Sequence, residues 1–215
     1  MADFLRYAGN LADLCSLQRR VFSTELGRSL LHPDLRDSVG AAPARHPAWA
    51  VLSAELAAAD SFQTINAWEL RTYMADVLLR DSDVMSMAHS LELRVPFIDR
   101  PFIEWLWAQP ARFKTGGGRQ KSALAAALRD ILPEEIRQRP KRGFTLPFAV
   151  WMRRELKPFL DDMFATPSIA RTGLLDAPAV QAFWQGFLQG RDDREWSRVW
   201  SLAMLIAFAN RPRAR

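Results

Sequence analysis

Lysine is scarce in this chain. Only four of its 29 basic residues are lysine, at positions 114, 121, 141 and 157, and the rest are arginine. Cysteine occurs once, at Cys15, which excludes an internal disulfide and any cysteine-based metal spacing. A single cysteine beside Leu14 and Leu17 reads as a small buried hydrophobe and fits a reducing, cytoplasmic setting. No segment resembles a signal peptide. The longest apolar run, Val199–Ala209, contains Ser201 and falls far short of the ~20 residues that span a bilayer. It reads as a buried helix, and no membrane partner is expected. Histidine is limited to three positions, and no Ser/His/Asp or Cys/His nucleophile set can be assembled around them. His89 sits in an apolar context and reads as a packed, hydrogen-bonded side chain. Asp76, Asp81 and Asp83 lie close together, but a metal site needs more ligands than the sequence places there. No repeat, heptad or low-complexity tract is present.

What remains is rich in aromatic residues. The 215 residues are 49% hydrophobic and include eight Trp and thirteen Phe, enough for a sizeable core or an aromatic-lined cavity. The length suits one domain spanning residues 1–215. A net charge of +5 is compatible with nucleic acid, a phosphorylated small molecule, an acidic lipid surface or simple arginine bias.

The pattern is mostly helical. Leu11–Leu31 carries an apolar stripe through Leu14, Leu17, Val21, Phe22 and Leu26. Residues 35–47 read as an exposed connector, and Ala48–Ala59 as a short helix. Asp60 or Ser61 caps a longer helix whose apolar positions include Phe62, Ile65, Leu70, Tyr73, Met74, Val77 and Leu78. Asp99 precedes another helix with Pro101 in its first turn, and Pro110 ends it. Thr115–Gln120 is a turn, followed by a helix from Lys121 to Pro133. Helices over Phe148–Phe164, Ala177–Gln189 and Asp193–Ala209 complete a mainly α chain with one or two short extended pieces.

Three places can carry chemistry. In Ser90–Asp99, "SLELRVPFID", Glu92 and Arg94 share one face of an extended chain, and Pro96 biases Val95 towards extended geometry. An acid and a base among apolar residues must be paired, solvated or turned to a ligand. A structural salt bridge is the simpler alternative. In Arg137–Pro147, "RQRPKRGFTLP", Lys141 and Arg142 precede Gly143, which permits a left-handed turn and close backbone approach. Such cations suit phosphate, though a solvated basic loop has the same pattern. "TGGGRQKS" lacks both the P-loop spacing and a preceding strand, so that reading is rejected. Lys121, at the start of the next helix, can still meet an anion.

Two segments in order, "MSMAHSLELRVPFID" and "RPKRGFTLP", resemble the C-terminal half of the synthetase domain of glutamine-hydrolysing asparagine synthetases. The likeness is strongest over residues 70–152. It implies the helical C-terminal part of an adenine-nucleotide α-hydrolase-like α/β domain. It also implies ATP with Mg2+, adenylation of the aspartate side-chain carboxylate, and displacement of AMP by ammonia from a separate glutaminase domain. By that resemblance, Arg94 and Lys141 match cations that contact phosphate and intermediate. Lys121, at a helix start, and Arg142 and Gly143, in the basic turn, are the candidate cofactor-binding residues. Glu92 would orient Arg94 or assist proton removal from ammonia.

The chain also departs from that pattern. Val84 stands where "VDRMSMA" has arginine, and Ala125 where "KYLLRKAL" has one, so another acceptor carboxylate is open. The pyrophosphate-binding "SGGxDS", the acidic "SGEGxDE" and an N-terminal cysteine nucleophile do not occur. The expectation is therefore a fragment, inactive alone, whose partners are the upstream ATP-binding and glutaminase regions. Exposed apolar surface should make it a homo-oligomer. A nucleic-acid-binding or non-catalytic scaffold role through the basic loop 137–142 is the alternative. No nucleic-acid motif supports that role, and the aromatics sit at core spacing rather than among the cations.

Overall fold

The computed structural model describes residues 11–38, 48–116, 121–140, 143, 146–190 and 195–212. Helices dominate throughout, as the apolar spacing requires. Among the described residues no strand forms, only an isolated antiparallel bridge between Leu31 and Leu175. In chain order the first helices are α1 (Leu11–Gln18), α2 (Thr24–Leu30), α3 (Pro33–Arg36) and α4 (Ala48–Glu55). Then come α5 (Ser61–Glu69), a π-type stretch (Leu70–Leu79), α6 (Arg80–Met87), α7 (Arg100–Ala108), α8 (Ala111–Thr115), α9 (Ser122–Ala127) and α10 (Glu134–Gln138). The chain finishes with α11 (Phe148–Arg153), α12 (Lys157–Met163), α13 (Thr166–Ala170), α14 (Ala177–Leu188) and α15 (Trp196–Ala209). The residues gather into two compact units. One comprises Met1–Arg45 with Thr145–Arg215, the other His46–Phe144.

The first unit holds the main core. Helix α15 buries Val199, Leu202, Ala203 and Ile206, and α14 buries Val180, Trp184 and Phe187. Met152, Leu160, Phe164 and Ile169 from α11 to α13 complete the same cluster, together with Leu30 from α2. Spacings of three and four residues put each set on one stripe of its helix. The opposite side of α15 is open, with Phe208 69% exposed, so this segment is an amphipathic surface helix rather than one buried all round. No described helix is long and apolar enough to cross a membrane.

Polar contacts tie the ends of this unit together. Asp176 caps α14 by accepting from the Ala179 N–H at 3.1 Å, and its other oxygen pairs with Arg36 at 2.7 Å. Arg36 Nε in turn donates to the Leu31 carbonyl at 3.0 Å. His32 N–H donates to Leu174 O at 2.9 Å, and Asp176 N–H to Leu30 O at 3.0 Å, which makes the bridge. Arg153 lays its guanidinium 4.3 Å from the Phe187 ring centre and donates from Nε to the Phe187 carbonyl. Asp161 accepts from Lys157 at 2.5 Å and from Trp184 Nε1 at 3.0 Å. The Lys157 bond and, secondarily, the Trp184 bond hold the Asp161 carboxyl below its ordinary range, against an opposing contribution from burial.

Several sequence expectations are revised. Leu11–Leu31 is two helices, because Ser23 turns extended (φ −65°, ψ 157°) and caps α2 by accepting from Leu26 N–H at 3.2 Å. Phe148–Phe164 breaks at Arg154 (φ −124°, ψ −92°). Pro158 explains the break, since it has no N–H to give Arg154 O and its ring would clash with that carbonyl in a continuous helix. The segment after Lys121 is helical only as far as Ala127. Asp60 caps α5 as expected, accepting from Gln63 N–H at 2.7 Å. Asp99 occupies the N-cap position of α7, but its side chain makes no capping bond.

Candidate functional site

In the second unit α5, the π-type stretch and α6 run on as one rod from Ser61 to Met87. Ten residues with wide turns rotate the faces that a 3.6-residue period would align. The predicted stripe is not the buried one, and the departure begins in α5, before the wide turns. Ala67, Trp68 and Thr72 are the buried positions, whereas Ile65, Val77 and Leu78 are exposed. Thr72 Oγ1 satisfies itself by donating to the Trp68 carbonyl at 2.7 Å.

The rod ends in a sharp turn. Ser90 takes a left-handed conformation (φ 58°), with Ser90 N–H bonded to Met87 O and Leu91 N–H to Ser86 O. The chain then runs irregularly extended through Leu91–Val95 into a 3-10 turn at Pro96–Ile98. Glu92 and Arg94 do share a face, and Arg94 Nη2 pairs with Glu92 Oε1 at 2.7 Å. The pair is not buried: the side chains are 83% exposed at Arg94 and 70% at Glu92. Its apolar neighbours are open too, with Leu91 and Phe97 60% and 61% exposed. His89 is also exposed, not packed as the sequence suggested.

Lys121 lies elsewhere in this unit, at a left-handed residue (φ 57°) opening α9. It lines a cavity of about 650 Å3 whose walls include Phe62, Phe97, Phe102, Trp105, Trp107 and Phe113. Successive rings brace one another: Phe97–Phe102 at 6.0 Å, Phe102–Trp105 at 6.2 Å, and Trp105–Phe113 at 5.9 Å. Lys114 reaches the same cavity and holds its ammonium 5.4 Å from the Phe62 ring centre and 5.9 Å from that of Trp107. Gly116 ends α8 in the left-handed region (φ 46°), and a Cβ there would meet Ser122 Oγ at 2.0 Å, so only glycine closes this turn. The sequence reading missed Lys114 and the wall it belongs to. The signal was the aromatic run "WLWAQPARFK", which ends on one of the few lysines.

Lys141 and Arg142 lie outside the described residues. Gly143 is described, and a Cβ there would meet nothing within 4 Å among the described residues. Among the described residues, no group of three or more His, Cys, Asp or Glu side chains could hold a metal ion.

The sequence profile of the asparagine synthase family matches residues 3–210, and the chain belongs to that family. It is 30% identical over 200 residues to a putative glutamine-hydrolysing asparagine synthetase of Mycobacterium tuberculosis, which covers 90% of this chain and 29% of the relative. It is 35% identical over 103 residues to asparagine synthetase 1 of Bacillus subtilis, covering 46% of this chain and 16% of the relative. A more distant relative, "Amidase chry2" of Gibberella zeae, is 22% identical over 149 residues, covering 66% of this chain and 22% of the relative. The chain thus spans less than a third of the length of the curated relatives it matches. No solved structure matches.

Proposed function

We propose that this chain supplies the C-terminal part of an ATP-dependent, glutamine-hydrolysing asparagine synthetase-like ligase. It would work with ATP-binding and glutaminase regions of the same enzyme, around an adenine-nucleotide α-hydrolase-like layer. The observation that carries the reading is the exposed Glu92–Arg94 pair within the matched family segment. A pair at the surface adds little stability, so its two charges remain open to serving a ligand.

In this reading the acceptor carboxylate, aspartate or a relative of it, attacks the α-phosphate of ATP. A bond forms between carboxylate oxygen and phosphorus, and pyrophosphate leaves. Negative charge grows on phosphate oxygens in that step, and fixed cations aimed at them stabilise the transition state. Arg94 and Lys141 are the cations assigned to that work, and Lys121, Arg142 and Gly143 belong to the nucleotide's surroundings. Arginine offers a planar fork and lysine a point charge, a combination that suits phosphate oxygens. Mg2+ would arrive with the nucleotide and neutralise its phosphates. Ammonia then attacks the acyl carbon and AMP leaves. Glu92 either keeps the Arg94 guanidinium in place or takes the proton that the attacking nitrogen must lose.

The missing phosphate-loop motifs support a further point: alone, the 215-residue chain makes no pyrophosphate. Its exposed apolar side chains, Met85 at 70%, Leu91 at 60% and Phe97 at 61% among them, favour self-association of the isolated chain. The test is ATP–pyrophosphate exchange with aspartate, first on the chain alone and then with the upstream regions of the same enzyme supplied. Exchange only in the second case supports the assignment. Exchange by the chain alone contradicts the fragment reading, and a folded assembly without exchange contradicts the ligase reading and favours a scaffold.

A further inference from the structure

We propose that the aromatic cavity of the second unit is a binding site for an amphipathic monocarboxylate, a molecule with an aromatic or aliphatic body and one carboxylate head. At about 650 Å3 it falls within the ~300–1,000 Å3 typical of small-molecule pockets. Its walls offer ring faces and alkyl chains, and Asn66 is the one neutral amide among them.

The charges select the head group. Lys114 and Lys121 both reach the cavity, and among the described residues no Asp or Glu lines it and neither lysine pairs with a carboxylate. A neighbouring cavity of about 570 Å3 in the same unit shows the contrast. There Arg71 holds Glu55 at 3.3 Å and Arg100 holds Glu104 at 2.7 Å, so its cations are already answered. In the first cavity the ring faces of Phe62 and Trp107 hold the Lys114 ammonium in place. That contact fixes the charge without using its hydrogen-bond donors, which remain available to an anion.

The same lining rejects other ligands. A zwitterionic amino acid would bring an ammonium group that meets two lysines and no acid. A phosphate dianion would need more donors than two ammonium groups to offset its desolvation, and among the described residues no arginine fork lines the wall. A neutral apolar molecule would fill the walls but leave both lysines unanswered. The site shares Lys121 with the nucleotide surroundings of the ligase reading, but its argument rests on the cavity alone.

The test is isothermal titration of the 215-residue chain with 4-phenylbutyrate, 4-phenylbutanol and 4-phenylbutylammonium at neutral pH. The expected order is carboxylate, then alcohol, with no binding of the ammonium, and a carboxylate-over-alcohol preference of about tenfold, as a charge-assisted hydrogen bond gives. The double variant Lys114→Met, Lys121→Met should lose that preference and keep its affinity for the alcohol. Ala123→Trp should fill the cavity and weaken both ligands. The lysine variants alter partly exposed side chains, so they remain informative if Ala123→Trp does not fold. Equal binding of all three probes overturns the proposal, as does no binding by a chain that circular dichroism shows to be helical. A dimer that Ala123→Trp dissociates also overturns it, because the cavity would then be an interface between copies.

Discussion

Replacing Asp176 separates two contributions that the structure places on one carboxylate. Oδ1 caps α14 at the Ala179 N–H, and Oδ2 pairs with Arg36. Losing an N-cap to alanine costs about 1 kcal/mol. The ion pair is partly buried, with side-chain exposures of 37% at Arg36 and 19% at Asp176, so it exceeds a fully solvated pair and adds about 1 kcal/mol more. Asp176→Ala should therefore cost about 2 kcal/mol, a fall of roughly 4–8 °C in melting midpoint for a protein of this size. Asp176→Asn keeps a good cap and loses the charge, so it should cost about half as much. Thermal unfolding by far-ultraviolet circular dichroism reads both. A double-mutant cycle with Arg36→Met isolates the pair. If Asp176→Asn costs as much as Asp176→Ala, the cap contributes nothing and the reasoning fails. The same holds if Asp176→Ala is silent.

Two further perturbations probe particular contacts. The Asp161 carboxyl titrates below its ordinary range because of Lys157 and Trp184. Its stabilising contribution is therefore present above the ordinary carboxylate range and lost as pH falls through the depressed value. Wild type should exceed Asp161→Asn in stability at pH 6 and converge with it in acid, and a gap that widens in acid would contradict the assignment. Gly116→Ala forces a Cβ against Ser122 Oγ at positive φ, and should destabilise the second unit by more than about 1 kcal/mol. An unchanged denaturation midpoint would show that the α8–α9 turn is not held as described.

Much of this was legible in local sequence. Asp60 announced the start of the long rod and Pro110 the end of α7, because a cap and a missing N–H act within one turn. The period-two reading of "LELRV" put Glu92 and Arg94 together, since that depends only on an extended chain. What failed depended on more than one segment. The rod buries Ala67, Trp68 and Thr72 rather than the predicted stripe, already within α5 before the π-type stretch begins, and no local residue signals that choice. The break at Arg154 needed the proline four residues later to be weighed against a strong apolar pattern. The aromatic cavity combines residues from positions 62 to 127, and only tertiary packing brings Lys114 and Lys121 to one wall.

The central claim is that Arg94 is kept at the surface for phosphate rather than for stability. The most direct test is Arg94→Ala in the enzyme with its ATP-binding and glutaminase regions present, with turnover and melting midpoint measured together. Exposed ion pairs contribute ~0.2–1 kcal/mol, so the midpoint should move by less than about 4 °C. Turnover should fall by about 100-fold or more, as it does when a charge-stabilising donor is removed. A midpoint that collapses while the remaining folded enzyme turns over normally would return Glu92 and Arg94 to a structural bridge and contradict the account.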